Sequence, residues 1–190
     1  MPFNKKYNKI KLPFDKYELY SRAVQSPEED VKFYRRVYKK FRRGQNPTTL
    51  REDFCGTGMI SCEWVKLGRE YKSCGLDLDQ EPMGYGREHY IAKLTADQQR
   101  RIALIKKDVL TPGLASADIA VAVNFSYFLF KRREILKRYF ENVYHSLNRD
   151  GIFVLDIFGG TQCTDAIEDR TVHKGFTYYW DQQNFDPVTN

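Results

Sequence analysis

The chain has 190 residues, 42 % of them hydrophobic and 29 % charged, and a formal net charge of +6. That length suits one domain, able to bury about 70 % of its unfolded surface. No apolar run approaches the ~20 residues of a membrane helix, and Met1-Pro2-Phe3-Asn4-Lys5-Lys6 lacks the apolar core of a secretory signal. A soluble, globular, cytoplasmic protein without membrane contact is expected. Cys55, Cys62, Cys74 and Cys163 form no C-x-x-C pair and read as reduced thiols. His89, His145 and His173 are scattered, so no metal site is expected.

The positive charge sits at one end. Residues 1–43 hold thirteen Lys/Arg against five Asp/Glu, a net of +8. Asp15 to Tyr20 reads as a short helix. Ser26 is an N-cap candidate, Pro27 fits the first helical position, and Glu29 completes a capping-box pattern. Val31, Tyr34, Tyr38 and Phe41 follow helical spacing, with Phe33 and Val37 widening the apolar face; Lys32, Arg35, Arg36, Lys39, Lys40, Arg42 and Arg43 cover the rest. Residues 31–43 are read as an amphipathic helix packed on the domain, with a surface for RNA or another polyanion as the alternative.

Gly44-Gln45-Asn46-Pro47 is a linker, dividing an N-terminal helical segment (1–45) from a sheet domain (46–190). From there strands and helices alternate, which predicts a doubly wound, mostly parallel α/β fold. Strands are expected at Thr49–Phe54, Lys72–Leu76, Ile102–Ile105, Ile119–Val123 and Ile152–Phe158. Between them fall a helix from Met59 towards a Gly68 cap, a helix opening near Glu81-Pro82, a short one behind the Thr95–Gln98 capping box, and a long one over Lys131–Leu147. Asn148-Arg149-Asp150-Gly151 is read as its stop. A short helix around Cys163–Asp169 and a strand near Phe176–Trp180 complete the order.

The centre of this pattern is Glu52-Asp53-Phe54-Cys55-Gly56-Thr57-Gly58, a glycine turn between strand and helix. Glycines there let a ligand approach the backbone. Gly75-Leu76-Asp77 follows, and an acidic residue about twenty positions past such a turn can accept ribose hydroxyls. The turn comes close to a dinucleotide fingerprint. Carboxylates at Glu52 and Asp53 argue against that, because they repel a pyrophosphate and suit a positively charged ligand.

These residues resemble motif I of the class I S-adenosylmethionine-dependent methyltransferases, with Glu52 in the acidic place and Phe54 where the family has its first glycine. Gly75-Leu76-Asp77 is similar to that family's ribose-holding loop, Lys107-Asp108-Val109 to its adenine-contacting segment, and Asp118 to Asn124 to its fourth strand, whose end lines the methyl group. The resemblance spans roughly residues 15 to 185. It implies a Rossmann-like fold, S-adenosyl-L-methionine as cofactor, and cofactor contacts from Glu52, Phe54, Cys55, Gly56, Gly58, Asp77, Leu78, Asp108, Val109, Asn124 and Phe125. It also implies that the N-terminal segment is a lid, with Tyr20 on the cofactor and Tyr17 near the substrate. Asn124-Phe125-Ser126-Tyr127 stands where methyl transfer takes place, so Tyr127 is a candidate substrate contact. Asp156 and Gly159-Gly160 are candidates for shaping the acceptor pocket. No residue reads as a general base, and the catalytic residues stay unassigned.

The function expected is therefore methyl transfer to a small or medium-sized acceptor. The alternatives are an RNA-binding or RNA-modifying protein using residues 31–43, and a nicotinamide-dependent oxidoreductase. Asp186 to Asn190 is turn chemistry with no strand to return into. A chain truncated relative to the family is expected, weakly active, and associating through its aromatic last strand.

Overall fold

The computed structural model describes residues 13–186. Its elements in chain order are α1 (Lys16–Val24), α2 (Pro27–Phe41), β1 (Thr49–Asp53), α3 (Met59–Val65), β2 (Lys72–Asp77), α4 (Gln80–His89), α5 (Ala96–Gln99), β3 (Ile102–Lys106), β4 (Ala117–Ala122), α6 (Arg133–Ser146), β5 (Leu147–Leu155), β6 (Ile167–His173) and β7 (Phe176–Gln182). They fall into two compact units, one of residues 26–163 and one of residues 13–25 with 164–186.

The larger unit is built on a five-stranded sheet in the order β3-β2-β1-β4-β5. Every neighbouring pair in it is parallel. The expected doubly wound α/β fold is therefore the fold observed. β4 shows why two helical layers form. Its Ile119 and Val121 lie in one buried cluster with Leu50, Trp64 and residues of α2, while Ala120 and Ala122 lie in another with Tyr139 and Val143 of α6. A strand alternates faces residue by residue, so the apolar run Ile119–Ala122 demands cover on both sides.

α2 is part of this sheet unit. Val31, Tyr34 and Tyr38 are buried against Leu50, Trp64, Tyr71 and Ile119. The expected boundary near residue 45 thus falls at residues 25–26 instead. The apolar face is narrower than the spacing suggested, since Phe33 is 44 % and Phe41 65 % exposed. Ser26 caps through its carbonyl, which accepts from the Glu29 and Asp30 amides, and its hydroxyl makes no cap bond. The predicted capping box is not formed there, whereas the one at Thr95 and Gln98 is. Several cations of α2 and its C-cap are engaged within the unit: Lys32 with Glu29, Arg35 with the Tyr71 hydroxyl, and the cap residue Arg42 with the carbonyls of Asp150 and Gly151.

Two helix ends differ from expectation. α3 stops at Val65, before Gly68, and the side chain that closes it is Arg101. Its guanidinium donates to the carbonyls of Val65 (2.9 Å), Gly68 (2.8 Å) and Tyr71. A cation satisfies those terminal carbonyls and also suits the negative end of the helix. After α6 the chain enters β5 at once. Asn148 to Gly151, read as a stop, is the irregular start of that strand, with Asp150 at φ +65° and a register shift against Ala117. Asn148 donates to Asp118 (2.8 Å), which also accepts from the Thr48 and Thr49 amides. That carboxylate ties the starts of β1, β4 and β5 together.

The smaller unit corrects the reading of the C-terminal region. The segment expected as a short helix at 163–169 leads into β6, which pairs antiparallel with β7 from Ile167↔Gln182 to His173↔Phe176. Lys174-Gly175 makes the turn, with Gly175 at φ +93°. The last strand therefore pairs with β6 along one edge, where the sequence led to the expectation of no partner strand in the chain. Polar residues in Glu168-Asp169-Arg170-Thr171 hid the strand. α1 belongs to the same unit: Arg22 donates to the Lys174 carbonyl (2.7 Å) and lies 4.9 Å over the Phe176 ring. The N-terminal twelve residues of the expected lid and the turn expected at 187–190 lie outside the described residues. Among the described residues no helix is long and apolar enough to cross a membrane.

Candidate functional site

The carboxyl ends of the strands share one edge of the sheet. Asp53, last in β1, is opposite Leu76 of β2 and Ala122 of β4, and Asp77 is opposite Lys106 of β3. The segments that follow these strands carry Gly56, Gly58, Leu78, Asp108, Asn124 and Phe125 to that edge. β1 and β4 are the neighbours between which the strand order reverses, the place where a doubly wound sheet opens a crevice.

The turn after β1 alternates left-handed residues: Phe54 at φ +59°, Gly56 at +52° and Gly58 at +72°. Phe54 thus occupies a conformation that favours glycine. Its ring is held by Phe130 (5.9 Å between centroids) and Tyr139 (5.6 Å). α4 lies directly against the turn, for a Cβ on Gly86 would come within 1.9 Å of the Thr57 carbonyl oxygen.

Strand alternation separates the two adjacent carboxylates. Glu52 faces α3, where its Oε2 accepts from the Ser61 amide (3.0 Å) and hydroxyl (2.6 Å). Asp53 faces α6 and is fully enclosed, accepting from Arg51 Nε (2.8 Å) and the Tyr139 hydroxyl (2.9 Å). Arg51 also donates to the Ala115 carbonyl and to Ser146. The reading of both acids as a ligand-facing pair is therefore corrected to Glu52 alone. An Arg two residues before an Asp on one strand shares its face, and that was the signal available for the ion pair.

Burial pushes the Glu52 carboxyl up to about 7, against the pull of its two Ser61 bonds and with help from Asp30 and Asp77. Asp30 of α2 is pushed up by burial first, then by the charges of Asp156 and Glu29. Asp77 accepts from the Gly56 amide (2.8 Å) and the Asp79 amide (2.9 Å). Two donors that a glycine turn and helix start offer to anions, the Gly56 and Ser61 N–H groups, are thus held by carboxylates of the protein itself.

The remaining predicted residues divide by side chain. Cys55 is buried with Met83 and Leu104, Phe54 packs in the Tyr139 cluster, and Val109 is buried with Leu76 and Leu114. Those three side chains serve the core and leave only backbone to face a ligand. Leu78 and Asn124 are exposed and Phe125 is half-buried. Asp108 makes a local turn, accepting from the Leu110 amide (2.8 Å). The Tyr127 hydroxyl, expected near substrate, donates to the Asp156 carbonyl (3.0 Å), and its ring packs on Phe128 and Phe140. Tyr17 and Tyr20 belong to the smaller unit. Asp30 and Arg51 were missed altogether; Asp30 carries no sequence signal beyond an acid in a first helical turn.

No family model matches the chain, and no curated protein matches it. Solved structures do. The glycopeptide N-methyltransferase MtfA superposes with a TM-score of 0.57 at 17 % identity, over 76 % of this chain and 59 % of its own. CalS10, an amino pentose methyltransferase of Micromonospora echinaspora solved with S-adenosylmethionine bound, gives 0.66 at 16 % over 88 % of this chain and 68 % of its own. The sugar N-methyltransferase KedS8 of a Streptoalloteichus species gives 0.63 at 16 % over 100 % and 86 %. The fold is thus the Rossmann-like fold of S-adenosylmethionine-dependent methyltransferases. The chain spans about three fifths of the length of MtfA.

Proposed function

We propose that the chain binds S-adenosyl-L-methionine and takes part in methyl transfer to a small or medium-sized acceptor, in the cytoplasm. One observation carries the choice of ligand. The Ser61 amide is 3.0 Å from Glu52 and the Gly56 amide 2.8 Å from Asp77, so carboxylates stand where a dinucleotide needs free N–H groups for its pyrophosphate. A diphosphate brought there finds both donors taken and meets the Asp77 carboxylate at close range, whereas a sulfonium or ammonium is attracted.

The residues fit the cofactor in parts. Asp77 keeps acceptor capacity for ribose hydroxyls, since an ionised carboxylate has about four lone-pair sites and two are in use. Asp108 and the Val109 backbone are assigned to the adenine. Asn124 and Phe125 close the crevice at the end of β4. When bound, the cofactor supplies an electrophilic methyl group on sulfur; the protein's part is to hold the acceptor in line and exclude water. Tyr17 and Tyr20 of α1 are assigned to a lid. The similar structures are named for amino-sugar and glycopeptide acceptors, which supports an acceptor of that size.

The test is thermal unfolding with S-adenosylmethionine, S-adenosylhomocysteine or NAD. The two sulfur ligands should raise Tm, because a ligand bound only by the native state stabilises it, and NAD should not. A shift with NAD alone refutes the proposal.

A further inference from the structure

The segment after β4 holds two consecutive non-glycine residues in the left-handed region, Asn124 at φ +56° and Phe125 at φ +54°. The left-handed region is uncommon for residues with a Cβ; asparagine tolerates it best, and for the bulky Phe125 it is strained. One side chain accounts for the conformation. Asp156, the residue after β5, accepts from the Asn124 amide at 2.6 Å and from the Phe125 amide at 2.9 Å, one with each carboxylate oxygen. Its own carbonyl takes the Tyr127 hydroxyl at 3.0 Å. Asp156 therefore binds this segment at three points.

The aromatic neighbours complete the arrangement. The Phe125 ring sits 6.0 Å from Phe128 and 5.6 Å from Phe158, two residues beyond Asp156. Only an ionised carboxylate offers two equivalent acceptors to two adjacent N–H groups. An amide in its place offers one acceptor, and its NH₂ opposes the other donor.

We propose that Asp156 is a positioning residue of the crevice: its carboxylate clamps the β4 exit in a left-handed turn and so sets the backbone of Asn124 and Phe125 for the ligand. This rests on the cofactor reading given above. It assigns Asp156 to preorganising the β4 side of the cofactor crevice, where the sequence suggested a wall of the acceptor pocket.

The experiment compares wild type, Asp156→Asn, Asn124→Gly and the double variant in the full chain. Calorimetry gives S-adenosylhomocysteine affinity, and hydrogen exchange reads a peptide spanning residues 121–130. Asp156→Asn should weaken binding at least tenfold and speed exchange at the Asn124 and Phe125 amides at least tenfold. The Asn124→Gly background removes part of the strain, so there the same substitution should cost less than half as much in log affinity. A purely structural role would lower Tm without this coupling in affinity. Equal affinity in Asp156→Asn and wild type, or additive effects in the double variant, overturns the proposal while the cofactor reading stands. Failure of the wild type to bind S-adenosylhomocysteine removes the cofactor reading and this assignment with it.

Discussion

Glu52 gives the sharpest test of the crevice, because its burial converts directly into a pH dependence. Its carboxyl sits at about 7 in the folded protein against an ordinary value of 4.5. The folded state therefore holds a proton between those values that the unfolded chain has released. Stability linked to this group is greatest below pH 4.5, falls as the pH rises to 7, and is level above that. The span corresponds to roughly 3 kcal/mol at about 1.4 kcal/mol per pH unit. In Glu52→Gln one side-chain oxygen can still accept from both Ser61 donors, as Oε2 does now. The variant should thus be more stable than wild type at pH 8, by up to about 3 kcal/mol, and equal to it near pH 4.5. Urea denaturation of both proteins at half-unit steps from pH 4.5 to 8 gives the difference curve, in which titrating groups not coupled to Glu52 cancel. A flat difference, or one that grows towards acid pH, would show that Glu52 is not held as described.

Further outcomes follow from neighbouring groups. Asp77→Ala should weaken S-adenosylhomocysteine binding at least about tenfold by calorimetry, since charged hydrogen bonds are worth roughly 1.5–3 kcal/mol; unchanged affinity would remove Asp77 from the site. Asp53→Ala leaves Arg51 buried without its partner and should cost about 3–5 kcal/mol in urea denaturation, and joint replacement of Arg51 and Asp53 by Met and Leu should recover most of it. Both Phe54→Ala and Phe54→Gly should destabilise through lost ring packing, but glycine should be the milder by about 0.5–1 kcal/mol because it relieves the left-handed strain. Limited proteolysis within residues 13–25 should slow when S-adenosylhomocysteine is added if α1 acts as a lid; equal cleavage would make it a static helix.

The central sheet was legible because its signals are local. The apolar run Ile119–Val123, a glycine turn, and alternating periodicities fix strands and helices without reference to anything distant. The helix cap supplied by Arg101 was not, since that side chain comes from beyond α5 and no rule of adjacency points to it. β6 failed for a related reason. A strand with few apolar residues has no periodic signature, and only its pairing with β7 defines it. In the crevice, Glu52, Asp77 and the glycines could be placed from spacing. The division of labour between Glu52 and Asp53 was also available from strand alternation, yet adjacency in the sequence invited reading them as a pair. Asp30 and Asp156 reach the same region from α2 and β5, and such convergence is a property of the fold alone.

The buried Arg51 bears on how the protein is made. β1 meets β2 after a crossover through α3, with Leu50 opposite Ser73, but meets β4 across a far longer stretch of chain, with Leu50 opposite Ile119. Loop closure alone favours the first pairing by about 1 kcal/mol, so the N-terminal half can assemble first. In that half Arg51 has Asp53 beside it but lacks Ala115, Ser146 and the Tyr139 that completes the Asp53 site. The early half therefore carries an unfinished charged face on its middle strand. That face disfavours a stable half-folded product and ties the two halves into one cooperative transition, so a nascent chain should gain lasting protection from protease only once α6 has emerged.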